Sequence, residues 1–161
     1  MAKLELLSPA GDMERLEMAV RYGADAVYLG YGPLNARRNA KNFSQEELRQ
    51  AVSYCHQRGT KVYLTLNTLL SNRELPLAAE TAAFASEIGI DAILVQDLGV
   101  ARLLRETVPD VDVHASTQMS VHTPAGVRAL YEMGFKRVVL SREMSREEIA
   151  ECAKIPIELE V

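Results

Sequence analysis

The sequence predicts a parallel α/β fold, an incomplete (β/α) barrel of TIM type with about seven strands and six helices. Three observations predict it. Short β-branched runs alternate with amphipathic stretches along the whole chain. A Gly-X-(Asp/Lys) phrase leads into four of the runs. Polar residues recur at nearly every predicted strand C-terminus.

The first run is LELL (4–7), followed by SPAGD and a helix that Asp12 can cap. Its apolar face carries Leu16, Ala19 and Val20 at helical spacing. Gly23 ends that helix and AVYLG (26–30) follows. Ser44 and Glu47 form a predicted capping box for a second helix, whose core face includes Leu48, Ala51 and Val52. Gly59 leads into KVYLTLN (61–67), and Ser71 with Glu74 reads as the next capping box. Gly89 precedes AILVQD (92–97), and a fourth helix joins it to DVHAS (112–116). Thr123-Pro124 reads as an N-cap with proline at the first helical position. Gly134 precedes RVVLS (137–141), Ser145 and Glu148 make a third capping box, and IELEV (157–161) is the last run. A glycine just past a helix takes the left-handed conformation at no steric cost, which suits these stops.

Strict alternation of this kind implies parallel pairing with right-handed crossovers. A doubly wound sheet competes with the barrel and suits the 161-residue length, because a full barrel takes roughly 200 residues or more. The even spacing of the units favours the barrel. So does the lack of a GxGxxG or GxxxxGK[ST] loop after any strand. With only seven strands the barrel is expected to be a fragment, residues 1–161 forming its N-terminal portion. Its two open sheet edges then favour pairing with another chain, a homodimer being the simplest form.

Hydrophobic residues at 48% and charged residues at 25% fit a globular domain. The net charge of −4 lacks the basic excess of a nucleic-acid surface. No apolar run spans a membrane and no signal-peptide core is visible, so a cytoplasmic protein without membrane contact is expected. Cys55 and Cys152 have no metal-ligand spacing, and the histidines His56, His114 and His122 make no HExxH. No metal site is expected.

The stretch VHASTQMSVH (113–122) sets hydroxyls beside imidazoles. His114 and Ser116 are two apart on a strand and therefore share a face. A nucleophile would also need an orienting third group and an oxyanion hole, and neither is supplied locally. His114 is thus either a ligand group at the barrel mouth or a histidine satisfied by neighbouring strand ends. Other mouth candidates are Asn67, Gln96, Asp97, Ser116, Gln118, Arg142 and Glu143, all at strand ends. An ion pair of Arg142 with Asp97 or Glu143 is the alternative for that group. The loop SPAGD offers Ser8 and Gly11 as an anion-binding turn at a helix N-terminus, with Asp12 as a competing cap. The longest loop, YGPLNARRNAKNF (31–43), carries Arg37, Arg38 and Lys41, a cluster suited to carboxylate or phosphate.

The segments ELLSPAGDMERLEMAVRYGADAVYLG, NARRNAKNFSQEEL, VYLTLNTLL, LVQDLGV, HASTQMSVHTPAGV and VVLSREMSREEI together resemble the N-terminal region of the peptidase U32 family, in the same order. That resemblance implies two kinds of activity. Members were named collagenase-like proteases, and others take part in oxygen-independent hydroxylation, of tRNA uridine, of a ribosomal RNA cytidine, or in ubiquinone biosynthesis. It implies, for the hydroxylating members, an iron–sulfur cluster and prephenate as oxygen donor. Glu160-Val161 matches the start of the family's signature, and no signature cysteine falls within this chain, so no cofactor is expected in this segment and a cluster only in a longer parent. By position, Arg37, Asn42 and Phe43 match the family's second loop, and Asn67, Asp97, His114, Ser116, Gln118, Arg142 and Glu143 match its strand ends. The resemblance implies an RNA-modifying parent with a small anionic, prephenate-like ligand at the mouth and RNA contacts lying largely elsewhere. A U32 peptidase and an inert scaffold fragment are the competing readings.

Overall fold

The computed structural model describes residues 4–36 and 42–161. Seven strands form one parallel sheet in chain order: β1 (Leu7–Pro9), β2 (Ala26–Gly30), β3 (Lys61–Leu66), β4 (Ala92–Val95), β5 (Asp112–Ala115), β6 (Arg137–Val139) and β7 (Glu158–Glu160). Among the described residues six helices connect them: α1 (Met13–Arg21), α2 (Gln45–His56), α3 (Leu75–Ile88), α4 (Leu98–Thr107), α5 (Pro124–Glu132) and α6 (Arg146–Cys152). This is the incomplete TIM-type barrel that the alternation predicts. The sheet order follows the chain, so every helix crosses to the adjacent strand, which a doubly wound order would not do.

Local chemistry sets the helix ends. Asp12 caps α1 by accepting from the Arg15 N–H at 2.9 Å. Ser44 and Ser145 form reciprocal capping boxes with Glu47 and Glu148. Thr123 caps α5 ahead of Pro124. The Ser71 box differs from expectation. Glu74 accepts from the Ser71 N–H at 2.8 Å, but α3 begins only at Leu75. The pair closes a turn before the helix, because Pro76 takes the first helical turn where no N–H is needed. Gly89 closes α3 in the left-handed conformation at φ 86°, as the Gly-X-Asp phrase requires.

Strand side chains alternate between two environments. Val27, Leu29, Val62, Leu64, Ile93, Val95, Val113 and Val138 face the helices and meet Leu16, Leu48, Ala51, Ala82, Val100, Leu104 and Val127 in the main core. The opposite face lines the barrel interior. Ala26, Tyr63, Ala92 and Leu94 form a second apolar cluster there, with Leu7, Tyr28 and Val139 against it. Among the described residues no helix is long and apolar enough to cross a membrane.

The interior also holds charge. Arg137 on β6 is buried at 7% exposure and donates to Glu5 at 2.6 Å and to Glu158 at 2.7 Å. The Tyr63 hydroxyl donates to the Glu5 carboxylate at 3.0 Å, and the guanidinium lies 5.2 Å from the Tyr63 ring centre. This network ties the start of the chain to β6 and β7 across the interior.

Candidate functional site: the barrel mouth

The C-terminal ends of the strands open on a cavity of about 340 Å³. Its wall includes Gly11, Asn42, Asn67, Ser116, Gln118 and Arg142 from the sequence-predicted set. The strands supply Tyr28, Gly30, Thr65, Leu94, Val139 and Glu160 as well. Each of these last residues points inward by strand parity, two positions before or after another interior residue, and that parity was the signal available for finding them.

Asn67 organises the wall. Its Oδ1 accepts from the Ala36 N–H at 3.1 Å, and its Nδ2 donates to Ser116 Oγ at 3.1 Å. One side chain at the end of β3 therefore joins the β2 loop to the end of β5. Ser116 Oγ also accepts from the Gln118 N–H at 3.3 Å, which opens a 3₁₀ turn at Thr117–Met119. The hydroxyl is held as a structural acceptor. Asn35, fully buried, donates to the Gly32 carbonyl at 2.9 Å and to Asn42 Oδ1 at 3.1 Å. Gly30 makes room for this pair. A Cβ there would come 2.6 Å from Asn42 Oδ1 and 3.0 Å from Asn35 Oδ1.

Five of the expected mouth residues stand elsewhere among the described residues. His114 lies deeper, in the interior, with its ring 4.9 Å from the Tyr63 ring in an edge-on arrangement. It is 2% exposed and its Nδ1 has no hydrogen-bond partner. Burial, reinforced by the Arg137 charge, pushes its pKa down to about 3, so the imidazole is neutral. Asp97 is a cap: it accepts from the N–H groups of Gly99 at 2.7 Å, Val100 at 3.3 Å and Leu70 at 3.2 Å. Its carboxylate is spent on backbone donors. Gln96 donates to the Gln118 carbonyl at 3.2 Å and braces the 3₁₀ turn from outside the cavity wall. Ser8 lines an outer groove beside α1, with Pro9 and Arg15, and Asp12 has taken the helix-end donor that an anion would use. Glu143 is exposed and outside the cavity wall. Arg37, Arg38 and Lys41 lie outside the described residues.

The cysteines do not fit an iron–sulfur cluster, which takes about four cysteine ligands. Cys55 and Cys152 are both buried, on α2 and α6, and burial pushes the Cys55 thiol up to about 11, away from the thiolate a metal needs. Among the described residues no group of three or more His, Cys, Asp or Glu side chains is placed to hold a metal ion.

The model of peptidase family U32 matches residues 11–161. The chain belongs to that family. An uncharacterized protease of Methanocaldococcus jannaschii is 42% identical, over 99% of this chain and 40% of its own. The 23S rRNA 5-hydroxycytidine C2501 synthase of Escherichia coli is 39% identical, over 91% of this chain and 22% of its own. The tRNA hydroxylation protein P1 of Bacillus subtilis is 38% identical, over 98% of this chain and 38% of its own. The chain thus spans well under half the length of these relatives. The solved structure of the U32 peptidase Mk0906 superposes with a TM-score of 0.80 at 17% identity, covering 99% of this chain and 68% of that one. The U32 fold accounts for the curled seven-stranded sheet.

Proposed function

We propose that this U32 chain forms the small-molecule end of an RNA-hydroxylating enzyme, its mouth cavity holding a small anionic ligand of the prephenate-like dicarboxylate kind. The observation that carries the reading is the makeup of the cavity. Its polar side chains are the amides of Asn42, Asn67 and Gln118, the hydroxyls of Tyr28, Thr65, Ser116 and Thr117, the Glu160 carboxylate and the exposed cation of Arg142, and Arg142 with the amides can bind and orient a carboxylate. Peptide hydrolysis by a Ser–His pair has poor support in this wall. Ser116 Oγ is held by Asn67 and Gln118, and the imidazole nearest in sequence, His114, packs edge-on against Tyr63 instead. The names of the Escherichia coli and Bacillus subtilis relatives supply the RNA class.

In this reading Asn67 and Gln118 orient the ligand, Arg142 neutralises a carboxylate, and the RNA base approaches from the mouth. An iron–sulfur cluster, where one takes part, draws its ligands from outside this chain's cysteines. The whole enzyme acts in the cytoplasm, where tRNA and ribosomal RNA are modified. The test is nucleoside mass spectrometry of RNA from cells whose own U32 hydroxylases are deleted, with and without the longest natural protein containing this chain. Restored hydroxylated uridine or cytidine, lost again in Arg142→Ala, is expected. Gelatin cleavage by the purified protein with no change in RNA would replace this reading with the peptidase one.

A further inference from the structure

Three carboxylates converge on one guanidinium in the barrel interior, and one of them is left over. Arg137 meets Glu5 at 2.6 Å through Nη1, and Glu158 at 3.0 Å and 2.7 Å through Nε and Nη2. Glu160 Oε2 stands 3.8 Å from Nη1, beyond hydrogen-bond reach. That oxygen is buried and has no hydrogen-bond partner. A buried carboxylate oxygen without a donor is costly, and native interiors rarely leave one so. Among the described residues Glu160 is also the one member of this network that lines the mouth cavity. Oε2 is thus sealed beside Arg137, with its charge but no hydrogen bond, while the side chain, 24% exposed, lines a cavity open to a ligand.

We infer that Glu160 is the acidic group that meets the ligand in the mouth cavity, pairing with a hydroxyl of a small bound carboxylic acid whose carboxylate faces Arg142. The inference rests on the reading of the mouth as an anionic-ligand site. A hydroxyl suits this position better than an ammonium. Arg137 already places a full positive charge 3.8 Å from Glu160 Oε2, so what the carboxyl lacks is a hydrogen-bond donor and not a second cation. A neutral hydroxyl supplies that donor, whereas an ammonium would add a cation beside Arg137 and Arg142.

The probes are L-malate and succinate, dicarboxylates of one chain length that differ by a single hydroxyl. Binding is followed by amide chemical shifts in the labelled chain. The wild type is expected to bind malate about fivefold tighter than succinate, the effect of one hydrogen bond. Glu160→Met is expected to abolish the preference, and Glu160→Gln, which keeps an acceptor, to retain most of it. Arg142→Ala should weaken both acids alike. Should Glu160→Met fail to fold, a shift of the Glu160 and Val161 amides with malate but not with succinate takes its place as the supporting result. Equal affinities in the wild type, or a preference that survives in Glu160→Met, overturn the role of Glu160. If both acids then still bind in an Arg142-dependent way, the anion-site reading stands without it. No binding of either acid overturns both.

Discussion

Arg137 Nη1 and Glu5 Oε1 are 2.6 Å apart across 132 residues of sequence. The pair ties β6 to the segment leading into β1, and these elements lie toward opposite edges of the open sheet. Glu5 is drawn two ways: burial raises its pKa, and the hydrogen bond and charge of Arg137 outweigh that and hold it below the usual range. Arg137→Met removes the cation and leaves Glu5, Glu158 and Glu160 facing one another. Unfolding in urea should show a loss of about 2–4 kcal/mol, most of it from the Glu5 side, since Glu158 is 48% exposed and screened. Glu5→Gln keeps a hydrogen-bonding partner for Arg137 and Tyr63 and should cost only about 1 kcal/mol. Equal losses in the two variants would show that the carboxylate charge, not the guanidinium, holds the edges.

His114 should impose a pH dependence on folding. Its pKa falls from 6.5 to about 3 because burial disfavours the imidazolium. The unfolded chain takes up this proton near the upper value and the folded chain only near the lower one. Between them the unfolded state binds more protons, so stability falls as the pH drops through that window and is unaffected above it. Glu5, held low in the fold, adds a loss of the same sign at the acid end. His114→Leu should flatten the slope of unfolding free energy between pH 6 and pH 4 by about 1.4 kcal/mol per pH unit, the value for one proton. An unchanged slope would mean that the ring is already protonated in the fold.

The barrel was legible because its punctuation is local. Gly89 must be left-handed to leave α3, and Ser44 with Glu47 closes its own cap within four residues. The mouth was legible only as far as strand ends are. Asn67, Ser116 and Arg142 were placed by lying just past a β-branched run, and they do meet at one cavity. His114 was not, because strand parity tells which face a side chain takes but not its depth along the barrel axis. The capping role of Asp97 is not legible because a carboxylate after a strand suits a binding group and a helix cap equally, and only the positions of the Gly99 and Leu70 N–H groups reveal the cap. The Arg137 network was invisible for a different reason. Its partners are brought together by closure of the sheet, which no short window of sequence records.

Gly30 should resist the smallest substitution. Its φ is ordinary, so the constraint is contact and not backbone conformation. The Cβ of Gly30→Ala would sit 2.6 Å from Asn42 Oδ1, and Asn35, which holds Asn42 at 3.1 Å, is fully buried and cannot swing away freely. Overpacking of this kind costs about 1–3 kcal/mol. Thermal unfolding should show that loss, and malate binding should weaken with it because Asn42 lines the cavity. A stable variant with unchanged binding would mean that the second loop shifts without cost.

Asp97 separates a structural carboxylate from a ligand-binding one. Its Oδ1 serves the Gly99 and Val100 N–H groups and its Oδ2 serves Leu70, which fastens the start of α4 to the segment after β3. Asp97→Ala should cost about 1–2 kcal/mol, as loss of an N-cap does, with the second hydrogen bond placing it toward the upper end. Asp97→Asn keeps an acceptor for the cap and should cost less, about 0.5 kcal/mol, chiefly through weaker acceptance. A ligand-binding carboxylate predicts the reverse pattern, stability intact and malate or succinate affinity lost in Asp97→Asn. Asn67→Ala is the contrast. It breaks the link between Ala36 and Ser116 on the cavity wall, so its affinity loss should exceed that of Asp97→Asn at a similar stability, measured by the same shift titration.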